Sequence, residues 1–381
     1  MEYFYAFTLI SVLLFFINKK RAVIFVIIGC VFFLYYLPSI GHFGPDYLGY
    51  QTTYVNAFKI EAFPWVNTAA QIDSEPFYLW YSSLISAYSN LGFSFYMIFN
   101  FLLCVFISVF MLRSFKSDYK YFFWIMILPV IFPTIFYFLL RSSLSYFLVA
   151  LGFFSLLNPS KKKAIFLAIL FFFLGINLHS QYILITLLIL GVFVVLRFET
   201  LAEYYRDLKI IIISAFALIF ILTGLRSFTN ELASILSFLP SSDVISVKIG
   251  HLTGVDNKGL RLTALLSIVI YPVMAFQVVI KTYKSHVLYF LNNKLKERKF
   301  LLLMLAIILY GAAINIAYFD SALAAGRLSR FSDYLGICLL MPMYFKTCIG
   351  YKTEYLALVI ITVLAPILYA AVYMNIQWGI F

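Results

Sequence analysis

The stretch Phe93–Leu112, FSFYMIFNFLLCVFISVFML, decides the class of fold, because twenty consecutive residues carry no charge. As a helix, which rises about 1.5 Å per residue, this run crosses a hydrocarbon layer about 30 Å thick. Similar runs recur along the chain, in which 64% of residues are hydrophobic and 12% are charged. The sequence therefore predicts an all-α, polytopic integral membrane protein with a single transmembrane domain over residues 1–381.

The apolar runs predict about twelve transmembrane helices in total. The predicted spans are Tyr3–Ile17, Ala22–Leu37, Phe93–Leu112, Tyr121–Leu140, Ser142–Leu157, Ala164–Leu178, Gln181–Leu196, Ile210–Leu225, Leu262–Ile280, Phe300–Phe319, Phe331–Cys348 and Tyr355–Tyr373. Basic residues follow the first run at Lys19–Arg21. A signal peptide carries its basic residues before the apolar stretch, so we interpret the first run as a retained span.

The basic residues orient these spans, because the cytoplasmic loops of membrane proteins are rich in Lys and Arg. Six connections on one face hold 20 of the 28 basic residues, which assigns that face to the cytoplasm. The net charge of +12 is thus a sign of topology, and no nucleic-acid partner is expected. Two long loops, about 38–92 and 226–261, fall on the extracytoplasmic face. The first includes a predicted short helix at Phe77–Tyr88, and the second an amphipathic stretch at Asn230–Leu239.

Five arginines lie on the extracytoplasmic face, against this bias: Arg141, Arg226, Arg261, Arg327 and Arg330. A charged side chain held against the membrane is costly, and it often marks a functional site. Guanidinium groups in this position indicate that an anion is bound there. For Arg141, which joins two apolar spans with almost no loop, the alternative is that the side chain reaches out to lipid headgroups.

The densest of these signals is Arg327-Leu328-Ser329-Arg330-Phe331-Ser332-Asp333-Tyr334, at the start of the eleventh predicted span. Because Arg327 and Arg330 are three residues apart, one helix would carry both on the same face, and Asp333 and Tyr334 would continue that surface. Two planar guanidinium groups suit a pyrophosphate, whose oxygens they bind bidentately. The alternative is that the arginines pair with Asp320 and Asp333.

Three further residues on the same face are candidates for the chemistry itself: Asp46, Glu75 and His179. Asp46 and His179 are candidate general bases that would accept a proton from a sugar hydroxyl, and Glu75 would help to orient an acceptor. Structural roles compete in each case. Asp46 and Glu75 also fit helix caps, and His179 also fits a hydrogen-bonded structural histidine.

Three tyrosines near these residues are candidates for stacking on sugar rings: Tyr47, Tyr50 and Tyr334. Aromatic residues make up 20% of the chain, and many of them fall near the ends of predicted spans. Tyrosine also gathers at membrane–water interfaces without binding any ligand, which is the competing explanation.

The order of these motifs resembles that of the EpsG/Wzy-type polysaccharide polymerases of bacteria, over nearly the whole chain. Gly44-x-Asp46-x-x-x-Tyr50 follows the second span, Glu75-Pro76 precedes the third, Arg141 follows the fourth, His179-Ser180 follows the sixth, and Arg327–Tyr334 lies near the end. The resemblance implies a GT-C-like glycosyltransferase of the bacterial cytoplasmic (inner) membrane, active on its extracytoplasmic face. Such an enzyme assembles O-antigen, capsule or exopolysaccharide.

The resemblance also implies the substrates and the roles of the residues. Donor and acceptor are oligosaccharide repeat units on undecaprenyl pyrophosphate, and the partners include a flippase and a chain-length regulator. Arg141, Arg327 and Arg330, with Arg226 and Arg261 as further candidates, would neutralise the leaving pyrophosphate. The base is Asp46 or His179. The sequence contains no Asp-x-Asp metal pair, so no metal and no cofactor are expected.

Two other functions remain open at the level of sequence. One is a membrane glycosyltransferase that uses a polyprenyl-monophosphate sugar donor and adds a single residue, a reaction that needs fewer arginines. The other is a transporter or flippase for the same lipid-linked sugars. Transporters commonly carry charges near the middle of the membrane and show paired repeats, whereas the charges here gather at one face.

Overall fold

A computed structural model describes residues 2–39, 47–57, 76–89, 92–114, 119–126, 140–157, 161–179, 182–195, 201–236, 265–287, 295–319 and 322–348. Within these ranges every regular element is helical and there is no strand, which confirms the predicted all-α class. The last predicted span, Tyr355–Tyr373, lies outside the described residues.

The described chain forms fifteen α-helices and two π-helical segments, π1 and π2. They are α1 Glu2–Ile17, α2 Lys19–Ser39, α3 Tyr47–Ala57, α4 Pro76–Ser89, α5 Phe93–Ser114, α6 Lys120–Met126, α7 Leu140–Leu156, α8 Lys161–Leu178, α9 Ile183–Val195, α10 Leu201–Leu236, π1 Leu266–Ile270, α11 Tyr271–Val287, α12 Leu295–Ala317, α13 Ala322–Leu328, α14 Arg330–Leu335, π2 Gly336–Leu340 and α15 Met341–Cys348.

Four stretches within these helices are long and apolar enough to cross a membrane: Lys19–Ser39, Phe93–Ser114, Tyr205–Leu225 and Lys299–Ala317. Three shorter helices are also apolar: Arg141–Leu156, Ile185–Val195 and Leu266–Thr282. The described residues therefore support a membrane protein. The number of twelve spans stays a prediction.

Helices extend into both predicted loops. The predicted helix Phe77–Tyr88 is confirmed as α4, and the first loop also contains α3, which was not predicted. The apolar stretch Tyr205–Leu225 ends just before the predicted second loop, but α10 continues as a helix through Leu236, into the predicted amphipathic stretch. No proline interrupts residues 226–236, which allows the helix to continue. The bounds of the two loops stay predictions.

By contacts between Cα atoms, the chain divides into two compact units. The first consists of Met1–Ser180 and Met341–Phe381, and the second of Gln181–Leu340. The single transmembrane domain stays a prediction.

In the first unit, α7 and α8 form a closely packed antiparallel pair. The hydroxyl of Ser145 donates a hydrogen bond to the carbonyl oxygen of Gly175, at 2.5 Å. The two backbones approach closely there, since a Cβ atom on Gly175 would lie 2.6 Å from Cγ2 of Val149 and 3.1 Å from the carbonyl oxygen of Ser145. Small residues at such contacts are how helices pack tightly in membranes.

In the second unit, α12 is the central helix. Of its apolar stretch 89% is buried, compared with 22% for the apolar stretch of α10, whose Ile213, Phe216 and Phe220 side chains are mostly exposed. A helix that exposes large apolar side chains in this way is suited to contact with lipid. The hydroxyls of Ser214 and Tyr310 share a hydrogen bond of 2.8 Å that joins α10 to α12.

The close contact at Gly175 generates a stability prediction. We expect Gly175→Ala to lower the free energy of unfolding in detergent by about 1–3 kcal/mol, because the new methyl group must push α7 away from α8. The matched control is Gly191→Ala in α9, where a Cβ atom meets nothing within 4 Å. That variant should be neutral or stabilised by roughly 0.5–1 kcal/mol, since alanine favours the helix. Equal effects of the two substitutions would contradict the close approach of α7 and α8.

Candidate functional site

The structure does not describe the side chains of four predicted site residues. Asp46, Glu75 and Arg261 lie outside the described residues. Arg226 belongs to α10, but its side chain is not described. The roles of these four residues stay predictions.

Arg141 is the second residue of α7, and its guanidinium group lies over two tyrosine rings. The distance from its Cζ atom to the ring centroid is 5.4 Å for Tyr78 and 5.9 Å for Tyr50. Tyr50 belongs to α3 and Tyr78 to α4, and their rings meet edge to face with centroids 6.1 Å apart. The two helices of the first loop therefore supply a pair of rings that face one cation, at a distance where the attraction is significant.

A layer of aromatic contacts holds α3 and α4 against α5. The ring centroids of Tyr47 and Phe93 are 5.1 Å apart, and those of Tyr54 and Tyr96 are 4.9 Å apart. Tyr81 adds a contact to Tyr96 with centroids 5.7 Å apart. Because α3 and α4 are anchored to a long apolar helix through these rings, the positions of Tyr50 and Tyr78 are well defined.

Hydrogen bonds also join α4 to α5. The hydroxyl of Tyr81 donates to Oδ1 of Asn100 at 2.6 Å, and the Nδ2 atom of Asn100 donates to the carbonyl oxygen of Tyr96 at 2.9 Å. The hydroxyls of Ser82 and Tyr96 lie 3.1 Å apart. A buried polar network of this kind specifies one arrangement of the helices.

The electrostatics at Arg141 favour an anion. The side chain lies in the first turn of α7, where the backbone N–H groups carry a partial positive charge, so the helix itself does not compensate the guanidinium group. Burial raises the pKa of the Tyr78 phenol well above its ordinary value. Tyr78 therefore stays neutral and acts through its ring face. A negatively charged ligand at this end of α7 would be stabilised by both the side chain and the helix.

His179 lies at the same end of the α7–α8 pair as Arg141. Its backbone N–H donates to the carbonyl oxygen of Gly175 at 3.1 Å, so the residue continues the last turn of α8. Since α7 and α8 are antiparallel and Ser145 bonds to Gly175, the start of α7 is level with the end of α8. The structure thus brings two predicted site residues to one helix end, with His179 partly exposed there.

Arg327 and Arg330 lie in the second unit, and the expectation that one helix carries both is wrong. Arg327 is in the last turn of α13, whereas Arg330 begins α14, and a bend at Ser329 separates the two helices. Arg327 is exposed and Arg330 is partly buried. The two guanidinium groups therefore leave the chain from different helices, and their joint role in binding one pyrophosphate stays a prediction.

The sequence places Asp333 on the surface that Arg330 begins, and the structure shows that Asp333 is partly buried there. The hydroxyl of Ser267 in π1 donates a short hydrogen bond to its Oδ1 atom. The hydroxyl of Ser329 lies 3.5 Å from its Oδ2 atom. Ser267 and Ser329 are both buried. No sequence pattern links Ser267 to Asp333, because the two residues are far apart in the chain.

The candidate sugar-binding tyrosines differ in exposure. Tyr47 and Tyr334 each expose only 3% of their surface, and Tyr47 packs on Phe93. Tyr50 is partly exposed beside Arg141. Of the three, Tyr50 is thus the one whose ring reaches the surface next to a predicted anion site. Sugar binding by any of them stays a prediction.

No family model, no curated protein and no solved structure matches this chain. Within the described ranges there is also no group of three or more His, Cys, Asp or Glu side chains arranged to hold a metal ion.

The ring contacts of Arg141 predict a measurable coupling. In a double-mutant cycle of Arg141→Lys and Tyr78→Leu, we expect a coupling free energy of about 1–2 kcal/mol in unfolding experiments, because the pair is partly desolvated. Arg113 and Tyr119 supply a matched control, with Cζ 4.7 Å from the ring centroid and an exposed arginine. The same cycle there, with Tyr119→Leu, should give about 0.5 kcal/mol. A coupling at Arg141 no larger than at Arg113 would count against the described geometry.

Proposed function

We propose that the chain is a membrane-embedded glycosyltransferase that polymerises oligosaccharide repeat units carried on undecaprenyl pyrophosphate. The reaction would take place at the outer face of a bacterial cytoplasmic membrane and contribute to O-antigen, capsule or exopolysaccharide. The apolar helices support the membrane location. The order of the motifs from Asp46 to Tyr334 supports the reaction class.

The observation that carries the proposal is the guanidinium group of Arg141 over Tyr50 and Tyr78, at the helix end that also holds His179. The attraction between the cation and the ring faces acts on the charge of the guanidinium group and uses none of its N–H groups as hydrogen-bond donors, whereas a phosphate is bound by those in-plane N–H groups. Contact with the rings and phosphate binding are therefore compatible in one side chain. The competing explanation for Arg141 is that its side chain reaches out to lipid headgroups. That explanation does not require aromatic rings next to the cation.

The proposed reaction joins two lipid-linked chains. A hydroxyl of the acceptor unit attacks the anomeric carbon of the donor's reducing-end sugar, and its proton passes to Asp46 or His179 as general base. A new C–O bond forms, the bond from that carbon to the pyrophosphate oxygen breaks, and undecaprenyl pyrophosphate leaves. Arg141, Arg327 and Arg330 would stabilise the negative charge that develops on the leaving group, with Arg226 and Arg261 as additional candidates.

Other residues of the first loop fit auxiliary roles in the same proposal. Glu75 would orient the acceptor, and Tyr50 would stack on a sugar ring beside the pyrophosphate. A flippase would supply the substrate to the outer face, and a chain-length regulator would act on the product. The architecture is proposed to be GT-C-like, with about twelve spans.

The test of this proposal begins with loss of the gene. A deletion strain should display single repeat units on its lipid core instead of long chains, and a plasmid copy of the wild-type gene should restore the long chains.

Arg141→Lys should lower polymer formation on the order of 100-fold, because lysine keeps the positive charge but lacks the planar guanidinium group. Arg113→Lys, the same change at another described arginine–tyrosine pair, should leave polymer length unchanged. Long chains in the deletion strain would refute the proposal, and a deletion that removes one sugar without shortening the polymer would favour a single-residue transferase.

The proposal also predicts how the reaction responds to chelator. Purified protein and a synthetic lipid-linked repeat unit should form polymer equally well with and without EDTA, because guanidinium groups carry out the charge neutralisation. The sequence basis is the lack of an Asp-x-Asp pair. Activity that disappears with EDTA and returns with added Mg²⁺ would contradict this part of the proposal.

A further inference from the structure

Asn100 is a buried amide within the apolar helix α5. It exposes only 1% of its surface. It is the eighth residue of a helix that is apolar enough to cross a membrane, which places it about 10 Å from the start of that helix. A polar side chain at such a depth is costly to bury, and it marks a structural or functional requirement. The proposed reaction assigns no task to this amide.

Both ends of the Asn100 amide form hydrogen bonds. Its Nδ2 atom donates to the carbonyl oxygen of Tyr96 at 2.9 Å, one turn earlier in α5, and this bond holds the side chain against its own helix. Its Oδ1 atom accepts the hydroxyl of Tyr81, on α4, at 2.6 Å. The bond from Tyr81 therefore joins two helices, and the acceptor at its end is itself held in place.

This bond restrains the rotation of α4 about its own axis better than the ring contacts do. Ring pairs attract one another over centroid distances of about 4.5–7 Å and in several orientations. The rings of Tyr81 and Tyr96, with centroids 5.7 Å apart, would stay in contact after a modest rotation. The hydroxyls of Ser82 and Tyr96 lie 3.1 Å apart, but both can rotate. The shorter bond to the fixed amide of Asn100 is the more directional restraint.

The rotation of α4 matters because Tyr78 lies on this helix. The Cζ atom of Arg141 is 5.4 Å from the ring centroid of Tyr78 and 5.9 Å from that of Tyr50. The attraction is significant only within about 6 Å. Side chains extend to about 5–6 Å from a helix axis, so a rotation of about 20° moves a ring by about 2 Å. A shift of that size away from the guanidinium group would end the attraction between Arg141 and Tyr78.

We infer that Asn100 is a positioning residue for the arginine of the proposed pyrophosphate site. It holds Tyr81 and so fixes the rotation of α4, which keeps the ring of Tyr78 against Arg141. This inference rests on the proposed function, in which Arg141 binds the lipid pyrophosphate. A guanidinium group that is already restricted loses less rotamer freedom when it binds a phosphate, so its affinity for the phosphate increases.

The first experiment measures the contact between Arg141 and Tyr78 without any ligand. The double-mutant cycle of Arg141→Lys and Tyr78→Leu is repeated in an Asn100→Leu background, by unfolding of the full-length protein in detergent. The coupling between Arg141 and Tyr78 should fall below half of its wild-type value, because α4 is no longer held in one rotation. An unchanged coupling would overturn the inference, whatever ligand the protein binds.

The second experiment measures binding of farnesyl pyrophosphate to the full-length protein in nanodiscs by titration calorimetry. Asn100→Leu and Tyr81→Phe should each lower the affinity about fivefold, in keeping with the loss of one hydrogen bond. The double variant should bind no more weakly than either single variant, because both substitutions remove the same bond. In an Arg141→Gln background neither substitution should change the affinity by more than about twofold, since both act through Arg141.

Thermal stability separates a positioning role from a purely structural one. Asn100→Leu removes the acceptor of the Tyr81 hydroxyl and should lower stability, whereas the double variant with Tyr81→Phe removes both partners and should regain most of it. The affinity of the double variant for farnesyl pyrophosphate should stay low. Recovery of affinity together with stability would overturn the positioning role. Should Asn100→Leu fail to fold, Tyr81→Phe, which leaves the amide in place, decides the matter in both experiments.

Asn315→Leu is the matched control. Asn315 is a buried amide in α12, with 4% of its surface exposed, and its Nδ2 atom donates to the carbonyl oxygen of Gly311 at 2.9 Å, as that of Asn100 does to Tyr96. Among the described residues, no hydrogen bond joins Asn315 to another helix. The control should lower thermal stability without changing the affinity for farnesyl pyrophosphate. A loss of affinity as large as that of Asn100→Leu would show a general effect of buried amides and contradict the inference.

The outcomes separate this inference from the proposed function. If the wild type binds farnesyl pyrophosphate and Asn100→Leu binds it equally well, the positioning role is wrong and the polymerase proposal stands. Failure of the wild type to bind farnesyl pyrophosphate would remove the pyrophosphate site and the task assigned to Asn100 with it. The ligand-free cycle would then still report whether Asn100 holds Tyr78 against Arg141.

Discussion

Backbone hydrogen bonding in an apolar medium is the constraint on which this structure depends. Each N–H and C=O group has to find its partner within its own segment, and a helix satisfies that condition by itself. The flanks of the helices are then mostly apolar. Arg141 opens α7, His179 follows α8 and Arg330 opens α14. In the described part of the chain, the charged candidate residues therefore lie at or next to helix ends.

Charges at these ends need compensation, and the two units provide it differently. In the first unit, neutral rings from α3 and α4 face the guanidinium group of Arg141. In the second unit, serine hydroxyls and a nearby arginine surround the carboxylate of Asp333. Ring faces stabilise a cation without neutralising it, which leaves net positive charge for an anionic ligand. Hydroxyl groups likewise hold a carboxylate in place and preserve its charge.

The sequence predicted most of the described helices because their cause is local. Uncharged runs such as Phe93–Leu112 appear as helices with nearly the same bounds, here Phe93–Ser114. The sequence predicted helix ends less well where those ends depend on packing. The continuation of α10 through Leu236, the helix α3 and the bend at Ser329 were not anticipated, since none of them has a distinct hydropathy signal. The two π-helical segments have no simple signal in composition either.

The same distinction between local sequence and tertiary packing applies to the candidate site. Hydropathy and charge bias by themselves determined that the chain is an all-α membrane protein, and they singled out Arg141, His179 and Arg330, because a charge next to an apolar run is visible in the residues alone. Tertiary structure alone decided that Tyr50 and Tyr78 share the cation of Arg141 and that Ser267 holds Asp333. The physical reason is that these partners are distant in the chain and meet only through the close packing of separate helices, which no local pattern encodes.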